Sequence, residues 1–335
     1  MKKSMNIQEI ARLAGVSVAT VSRVLNESPK VKDATRNNVL SVIRKFDYQP
    51  NLLGRDLRRS ETMKVLILIS SLEKPIVGAV VKGIEACAKE YGYQVLICPT
   101  SFEWDREQEL FQMLKNRLVD GVITFGTTLS KEEISEISQK YNVVQCCEFK
   151  DTPYTCSVSI DDEKASFDAV NYLVQLGHKR IALIGDSSFL SSSSTSHREK
   201  GYRKALQKNK INVDNDLIMY GGDNYEDGVK LTNVLVSKKN PPTAIFCLSD
   251  SIGIGCVNAI KENGYSIPED IAVVGFDDTR EAIMAMPALT TIHQPKYEIG
   301  YSSMKLLIHN MKNKQKKYEK VILNHNIIRR ESTVK

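Results

Sequence analysis

Residues 16–26 read VSVATVSRVLN and predict a short helix whose outer face suits contact with the edges of nucleic-acid bases. Ser17 can serve as its N-cap, because a serine hydroxyl accepts a hydrogen bond from a free amide of the first turn. Helical spacing places Val21 and Val24 on one face, while the opposite face carries small side chains and a single basic group, Arg23. A short helix with a small outer face and one arginine fits the major groove of DNA.

A second predicted helix precedes this one. Asn6 and Glu9 have the spacing of a capping box, an apolar stripe follows over 7–14, and Gly15 suits the end of a helix and a sharp turn. Helix, glycine turn and helix together form the helix-turn-helix arrangement. An ordinary helical hairpin that buries both stripes fits the same spacing, so the choice between the two needs the charge around them.

The charge of the chain is concentrated at its start. Residues 1–60 hold 12 lysines and arginines and 5 acidic residues, whereas the other 275 residues hold 34 basic and 35 acidic residues. A basic head on a nearly neutral body predicts that only the head meets a polyanion. A solvated basic tail is the weaker alternative, because this segment has helical caps and apolar stripes.

A third helix is predicted over 33–46, followed by a basic segment. Its buried face is expected to consist of Val39, Val42, Ile43 and Phe46. Pro50 then interrupts the helical pattern, and residues 52–59 allow one or two turns with leucines among basic side chains. A helix that short needs a partner such as DNA in order to form, and a plain basic linker remains the alternative.

From Met63 onward, apolar strands alternate with amphipathic helices, which is typical of parallel α/β sheets. The alternation restarts near residue 162, which predicts two doubly wound lobes with a cleft between them. A single strand over 320–328 is expected to cross back between the lobes. The serine-rich stretch 187–196 is expected to form a loop that faces the cleft, followed by a helix over 199–208.

Several protein classes fit poorly. Lys2 and Lys3 precede no apolar stretch, so we expect no signal peptide, no membrane span and a cytoplasmic protein. Seven cysteines without metal-ligand spacing predict reduced thiols and no metal. Five histidines lack a reactive pairing and no glycine-rich loop matches a dinucleotide fingerprint, so we expect neither an enzyme nor a cofactor. A solute-binding protein without DNA function is the alternative, but it would need an export signal and no basic head.

The chain resembles the lactose-repressor (LacI/GalR) family of bacterial transcription regulators along almost its whole length. The segments that carry the resemblance are IARLAGVSVATVSRVLN at 10–26, YQPNLLGRDL at 48–57, LGHKRIA at 176–182, REKGY at 198–202, IPEDIAVVGFDD at 267–278 and LTTIHQP at 289–295. Within the family, segments 167–173 and 294–300 and Gly54-Arg55 look most like the cytidine-type repressor.

The resemblance implies an α plus α/β architecture: a helix-turn-helix three-helix domain with a hinge helix, then a two-lobed doubly wound α/β domain like that of periplasmic binding proteins. The expected domains are the DNA-binding head at 1–49, the hinge helix and linker at 50–62, and the effector-binding and dimerisation domain at 63–335. Its first lobe is expected at 63–161 and 292–322, and its second lobe at 162–291 and 323–335. The expected partners are double-stranded operator DNA, a small nucleoside or carbohydrate effector and a second copy in a homodimer, with no membrane.

The resemblance also implies roles in DNA binding. Val18 and Ala19 would touch base edges, where apolar side chains can read thymine methyl groups. Arg23 would read a guanine. The positions implied to hold phosphates are Ser17, Thr20, Ser22 and Asn26, and the hinge positions implied at the DNA are Asn51, Arg55 and Leu57, the last as a minor-groove wedge.

Arg198 and Asp277 occupy the two ligand positions that are most dependable in the family. A carboxylate can accept from two neighbouring hydroxyls, and a guanidinium donates in a fixed fork, so the pair suits a ribose or a hexose. The other expected effector contacts are Asp161, Ser249, Asn224 and the segment 74–77. Because Asn224 stands where relatives often have an aromatic residue, sugars remain as open as nucleosides.

Four positions have alternative roles or differ from the usual residue of the family. Helix N-capping is the favoured role of Asp250, and a strand-end cap is an open alternative for Asp161. Gly54 stands where most relatives have alanine, which costs roughly 1 kcal/mol of helix stability in the hinge. Lys32 stands where the family usually has a capping serine, so either Asp33 takes over the cap or the third helix starts less firmly.

Overall fold

Three short helices form the start of the chain in the computed structural model, which describes residues 5–25, 28–48, 61–187, 193–313 and 315–334. They are α1 (Ile7–Leu13), α2 (Val18–Leu25) and α3 (Asp33–Lys45). Contacts along the chain divide it into two compact units, Met1–Thr62 and Met63–Lys335. Most of the segment in which the hinge helix is expected, 50–62, lies outside the described residues.

The turn between α1 and α2 has the predicted local chemistry. Asn6 Oδ1 accepts from Glu9 N at 2.9 Å and Glu9 Oε2 accepts from Asn6 N at 2.9 Å, so the predicted capping box is confirmed. Gly15 has a φ of +65°, a backbone conformation that glycine adopts without the steric cost of a Cβ atom. The chain therefore leaves α1 and enters α2 through a turn that favours glycine.

The core of the head contains Ile10, Val21 and Val39, all fully buried. Phe46, expected in this core, is 41% exposed, because α3 ends at Lys45 and Phe46 follows as its C-cap; Tyr48 is buried instead. The N-cap of α3 is Lys32, whose side chain makes no capping hydrogen bond, and Asp33 is the first residue of the helix rather than its cap. The third helix therefore begins without a side-chain cap.

The second unit alternates strands and helices. In its first lobe these are β1 (Lys64–Ile69), α4 (Pro75–Glu90), β2 (Gln94–Pro99), α5 (Trp104–Lys115), β3 (Gly121–Phe125), α6 (Lys131–Lys140), β4 (Val143–Cys146) and β5 (Cys156–Ile160). In its second lobe they are α7 (Asp162–Gln175), β6 (Ile181–Asp186), α8 (Ser193–Lys208), β7 (Ile218–Gly221), α9 (Tyr225–Val236), β8 (Ala244–Cys247), α10 (Asp250–Glu262), β9 (Ala272–Asp277), α11 (Arg280–Met284) and β10 (Thr290–His293). The returning elements are α12 (Lys296–Lys312), which packs against α4, β11 (Lys320–Leu323) and β12 (Asn326–Ile328).

Each lobe has a six-stranded sheet within the described ranges. The strand orders are β11-β5-β4-β3-β1-β2 and β12-β10-β9-β8-β6-β7, parallel throughout except for the β10–β12 pair. The run Val65–Ile69 is buried on both faces, as expected for a parallel strand covered by helices on both sides. The strand order reverses between β1 and β3 and between β6 and β8, so the predicted two-lobed doubly wound fold is confirmed.

The structure differs from two predictions of elements. The stretch 320–328 forms two strands in different sheets, because β11 pairs with β5 in the first lobe and β12 pairs with β10 in the second. Helix α8 begins at Ser193, earlier than the expected start at Glu199, so only part of the serine-rich stretch precedes it. Residues 188–192 of that stretch lie outside the described residues.

Helices α9 and α10 pack closely enough to require a glycine. A Cβ atom on Gly255 would lie 2.3 Å from the backbone oxygen of Tyr225 in the neighbouring helix. No helix in the described part of the chain is long and apolar enough to cross a membrane.

Candidate functional site

The outer face of α2 is the first candidate site. Val18, Ala19 and Arg23 are exposed there, while Val21 and Val24 on the opposite face are buried in the head. The buried valines therefore fix which side of the helix remains available to a partner.

The start of α2 is capped by its own side chains. Ser17 Oγ accepts from Thr20 N at 3.2 Å, and the two hydroxyl oxygens are 2.9 Å apart. Ser22 and Thr20 are partly exposed. The positive end of the helix dipole lies at this terminus, which favours a nearby anion. The predicted DNA contacts Asn26, Asn51, Arg55 and Leu57 lie outside the described residues.

The second candidate site is a cavity of about 950 Å³ between the two lobes of the second unit. A smaller cavity of about 80 Å³ shares Lys74, Phe102 and Asp277 with it and reaches Arg198. The lining follows the carboxyl ends of strands near the reversals of strand order, where parallel α/β sheets commonly bind ligands. The topology therefore brings together polar side chains that are far apart in sequence.

Arg198, on α8, is fixed from several sides. Its Nε donates to Asp162 Oδ1 at 2.8 Å and its Nη1 donates to Leu248 O at 2.7 Å. Its guanidinium carbon lies 3.6 Å from the centre of the Phe276 ring, and its Nη1 lies 3.9 Å from Asp277 Oδ1. Burial alone would lower the pKa of Arg198, but the two nearby carboxylates raise it above its usual value. The side chain is therefore a charged donor held in one orientation.

Asp277 ends β9 in a conformation unusual for a residue with a side chain. Its φ is +109° and that of Asp278 is +54°. Asp277 Oδ1 accepts from Gln294 Nε2 at 2.6 Å, and Lys296 Nζ donates to Asp278 O at 2.7 Å. Burial raises the pKa of Asp277 to about 6 in spite of Arg198. The surrounding donors therefore hold a buried carboxylate in strained backbone at the cavity wall.

Asp250 does not have the predicted capping role. Ser249 is the N-cap of α10, and its hydroxyl accepts a backbone amide of the first turn at 3.4 Å. Asp250 is fully buried and accepts from Thr279 N at 2.6 Å and from Thr291 Oγ1 at 2.5 Å. Burial raises its pKa to about 8. Asp250 therefore braces the loop after β9 against α10 rather than capping the helix.

The two lobes also contact each other across the cleft. Lys74 Nζ of the first lobe lies 3.0 Å from Asp223 Oδ2 of the second. Burial lowers the pKa of Lys74, but the carboxylates of Asp223, Glu148 and Asp186 together outweigh this and the net change is upward. Ser194 Oγ donates to Glu148 Oε1 at 2.9 Å beside this pair. These polar bridges hold the lobes together around the cavity.

Of the five single residues predicted at the effector, Asp277, Ser249 and Asn224 line the larger cavity and Arg198 lines the smaller one; the predicted segment 74–77 also contributes to the lining. Asn224 is also the N-cap of α9, and the next residue, Tyr225, lines the cavity as well. Among the described residues the lining does not include Asp161, which is exposed and caps α7 by accepting from Lys164 N at 2.9 Å. Asp161 therefore has the alternative role, that of a cap at the end of a strand.

The sequence reasoning missed Asp162, the partner of Arg198. A signal was present, because Asp162 shares helical spacing with Ala165, Ser166 and Ala169, which form the buried face of α7. Asp161 falls off that face. The interlobe pair of Lys74 and Asp223 had no comparable signal, because it depends on the closure of two lobes. Within the described ranges, no group of three or more histidine, cysteine or acidic residues could hold a metal ion.

Comparison with known proteins covers both units. The family model for bacterial regulatory proteins, lacI family, matches residues 6–51, and that for a periplasmic binding protein-like domain matches residues 170–333. The chain is 36% identical to the HTH-type transcriptional regulator RegA of Clostridium acetobutylicum over 330 residues, 98% of each chain. It is 35% identical to the HTH-type transcriptional repressor CytR of Escherichia coli over 306 residues, 91% of this chain and 89% of the relative.

Solved structures resemble the chain along nearly its whole length. The lac repressor dimer bound to operator and the anti-inducer ONPF has a TM-score of 0.89 at 26% identity and covers 99% of this chain and 100% of its own. A complex of the transcriptional regulator CelR with cellobiose has a TM-score of 0.74 at 27% identity and covers 98% and 99%. Together with the head, the cleft and the full-length relatives, these matches show that the chain belongs to the LacI family of DNA-binding transcriptional regulators with an effector-binding domain.

Proposed function

We propose that the chain acts in the cytoplasm as a homodimer on a near-palindromic operator, and that a nucleoside or sugar in the cleft controls its affinity for that operator. The observation that carries the proposal is an interlobe cavity of about 950 Å³ lined by Asp277, with an adjoining cavity of about 80 Å³ that Asp277 shares with Arg198, in a chain with a helix-turn-helix head. The lac repressor, whose fold this chain shares, is a dimer in its operator complex.

On DNA, α2 enters the major groove with its exposed face toward the bases. Val18 and Ala19 contact thymine methyl groups, and Arg23 donates to guanine. Ser17 and Thr20 bind phosphate at the positive end of the helix. The remaining proposed contacts are Ser22 and Asn26 to phosphate, Asn51 and Arg55 to DNA from the hinge, and Leu57 as a wedge in the minor groove.

In the cleft, the proposed effector presents neighbouring hydroxyl groups to Asp277, which can accept from two of them. Arg198 donates to a ring or hydroxyl oxygen from its fixed position, and Ser249 and Asn224 contact the rest of the ligand. Asp161 is left out of this set because it caps α7. The effector changes DNA affinity only by as much as it prefers one lobe arrangement over the other.

The DNA part of the proposal is tested by selecting binding sites from random duplexes with the full chain. We expect the selected sequence to be near-palindromic and to bind about 10³-fold or more tightly than a scrambled duplex at physiological salt. Light scattering of the complex is expected to give two chains per duplex. Equal affinity for selected and scrambled duplexes, with or without candidate effectors, overturns the proposal.

The cleft is tested by a thermal-shift screen of nucleosides and sugars on the parent chain and on Asp277→Ala. We expect the best ligand to stabilise the parent and to lose most of its effect on the variant. Asp105→Ala, an exposed position on α5 outside the cavity lining, is the matched control. An equal shift in the parent and in Asp277→Ala shows that the ligand does not use this site.

A further inference from the structure

The inner part of the cleft contains more carboxylates than cations. Lys74 lies against Asp223, with Glu148 and Asp186 also lining the same cavity. Arg198, which lines the same cavity, is held between Asp162 and Asp277. Among the described residues that line this cavity, four acidic side chains thus face two basic ones.

The cations of the cleft are already engaged. Arg198 donates to Asp162 at 2.8 Å and Lys74 lies 3.0 Å from Asp223, so each has a carboxylate in direct contact. At the mouth, Lys261 donates to Met286 O at 3.2 Å and shares the lining with two further glutamates, Glu73 and Glu281. An incoming anion would therefore compete with existing ion pairs in a region of excess negative charge.

Two aromatic side chains show where a ligand can lie. Phe102 and Tyr225 line the cavity yet remain 51% and 39% exposed. The ammonium of Lys74 lies 5.8 Å from the centre of the Phe102 ring, so that ring already meets a positive charge. Exposed aromatic faces beside carboxylates suit a ligand that combines an apolar ring face with a cation.

We propose that the effector carries a protonated amine on a sugar or nucleoside frame and that the cleft rejects phosphorylated members of the same classes. The ammonium binds between Asp186 and Asp223 beside Phe102, and the hydroxyl groups bind Asp277 and Arg198. Burial and the carboxylate of Asp223 raise the pKa of Asp277 to about 6 although Arg198 lowers it, which agrees with an excess of negative charge in the cavity. The inference rests on the proposed function, since it assigns a charge to the effector of that cleft.

Matched ligands test the charge directly by titration calorimetry of the full chain at pH 7. One set is glucosamine, glucose, N-acetylglucosamine and glucose 6-phosphate. The other is 3′-amino-3′-deoxyadenosine, adenosine and adenosine 5′-monophosphate. In at least one set we expect the amine to bind about 10-fold or more tightly than its neutral counterpart, and the phosphate to bind most weakly of all.

Near-isosteric variants locate the ammonium. Asp223→Asn and Asp186→Asn are each expected to reduce the preference for the amine over the neutral ligand by about 10-fold, while Asp105→Asn on α5 leaves it unchanged. Their melting temperatures report whether each variant is folded. Because each substitution keeps the shape of the side chain, a loss of preference without a loss of folding reports charge.

Every outcome decides the inference. The inference is overturned if a neutral or phosphorylated ligand binds as tightly as the amine, or more tightly, in every set that contains a binding ligand, and also if neither amine binds. A neutral sugar that binds the parent but not Asp277→Ala would leave the proposed effector site standing. The selection of DNA sites is independent of all these ligands, so the two failures are distinguishable.

Discussion

The ion pair of Arg198 and Asp162 beside the cleft allows a quantitative prediction. In Asp162→Ala, Arg198 loses the carboxylate that accepts from its Nε at 2.8 Å. The two side chains are only 12% and 3% exposed, so water replaces little of that contact. Asp277 lies 3.9 Å away, beyond hydrogen-bond distance, while Leu248 O still accepts from the guanidinium. The substitution thus leaves a buried cation with weaker compensation.

Removing one member of a buried ion pair typically costs about 3–5 kcal/mol, because the remaining charge loses its partner. The remaining contacts of Arg198 with Asp277 and Leu248 place the expected loss near the lower end, at about 3 kcal/mol. The double variant Asp162→Leu/Arg198→Met removes both charges and keeps much of the volume. We expect it to lose less stability than Asp162→Ala alone, since no buried charge is left without a partner.

The assay is urea unfolding of the full chain followed by circular dichroism. Asp161→Ala is the matched control, because this neighbour is exposed and loses only the capping bond to Lys164, worth about 1 kcal/mol. If Asp162→Ala loses no more stability than Asp161→Ala, Asp162 does not hold Arg198 in the way described.

Three further predictions concern other parts of the chain. Burial raises the pKa of Asp250 from 3.8 to about 8, so the folded state keeps this proton to a higher pH than the unfolded chain does, and the free energy of unfolding falls as the pH rises from about 4 to about 8. In denaturant titrations at pH 5 and pH 8, Asp250→Asn should lack this fall. An equal fall in the parent and the variant would contradict the assignment. Arg23→Ala should weaken binding to the selected operator by about 1–3 kcal/mol and relax the preference at one base pair in fluorescence anisotropy, whereas a uniform loss over all duplexes would point to phosphate contact. Gly255→Ala should lower the free energy of unfolding by about 1–3 kcal/mol, because the new Cβ atom would lie 2.3 Å from Tyr225 O. Gly78→Ala, at an exposed helical position with no atom within 4 Å of the new Cβ, should raise it by about 0.5–1 kcal/mol. Equal effects of the two substitutions would refute the close helix contact.

Local chemistry made most of the fold predictable from the sequence. The capping box of Asn6 and Glu9 and the turn at Gly15 depend on residues only a few positions apart, and both are present in the structure. The buried run Val65–Ile69 is apolar on both faces, which already indicates a parallel strand. The prediction of a single strand over 320–328 was wrong, because the division of this stretch into two strands in different sheets depends on pairing partners that are distant in sequence.

The candidate site was less predictable for the same reason. Asp161 and Asp162 are chemically identical in the sequence, and only the packing of α7 decides which of them faces Arg198. Asp250 has the local context of a helix cap, but tertiary donors from Thr279 and Thr291 give it another role. A carboxylate one residue from the predicted position can therefore have an entirely different environment.

The routes by which the chain passes between the lobes determine how the cleft can move. Three segments connect the sheets: from β5 to α7, from β10 to α12 and from β11 to β12. In each sheet the strands concerned lie at one edge, so a rotation of one lobe relative to the other would have its axis near that edge. With strands about 4.8 Å apart, β2 lies roughly 19 Å from β5, and a turn of about 10° would displace it by about 3 Å. A ligand that rotates one lobe relative to the other would therefore displace the strands near the connections least and the strands at the far edge of the sheet most.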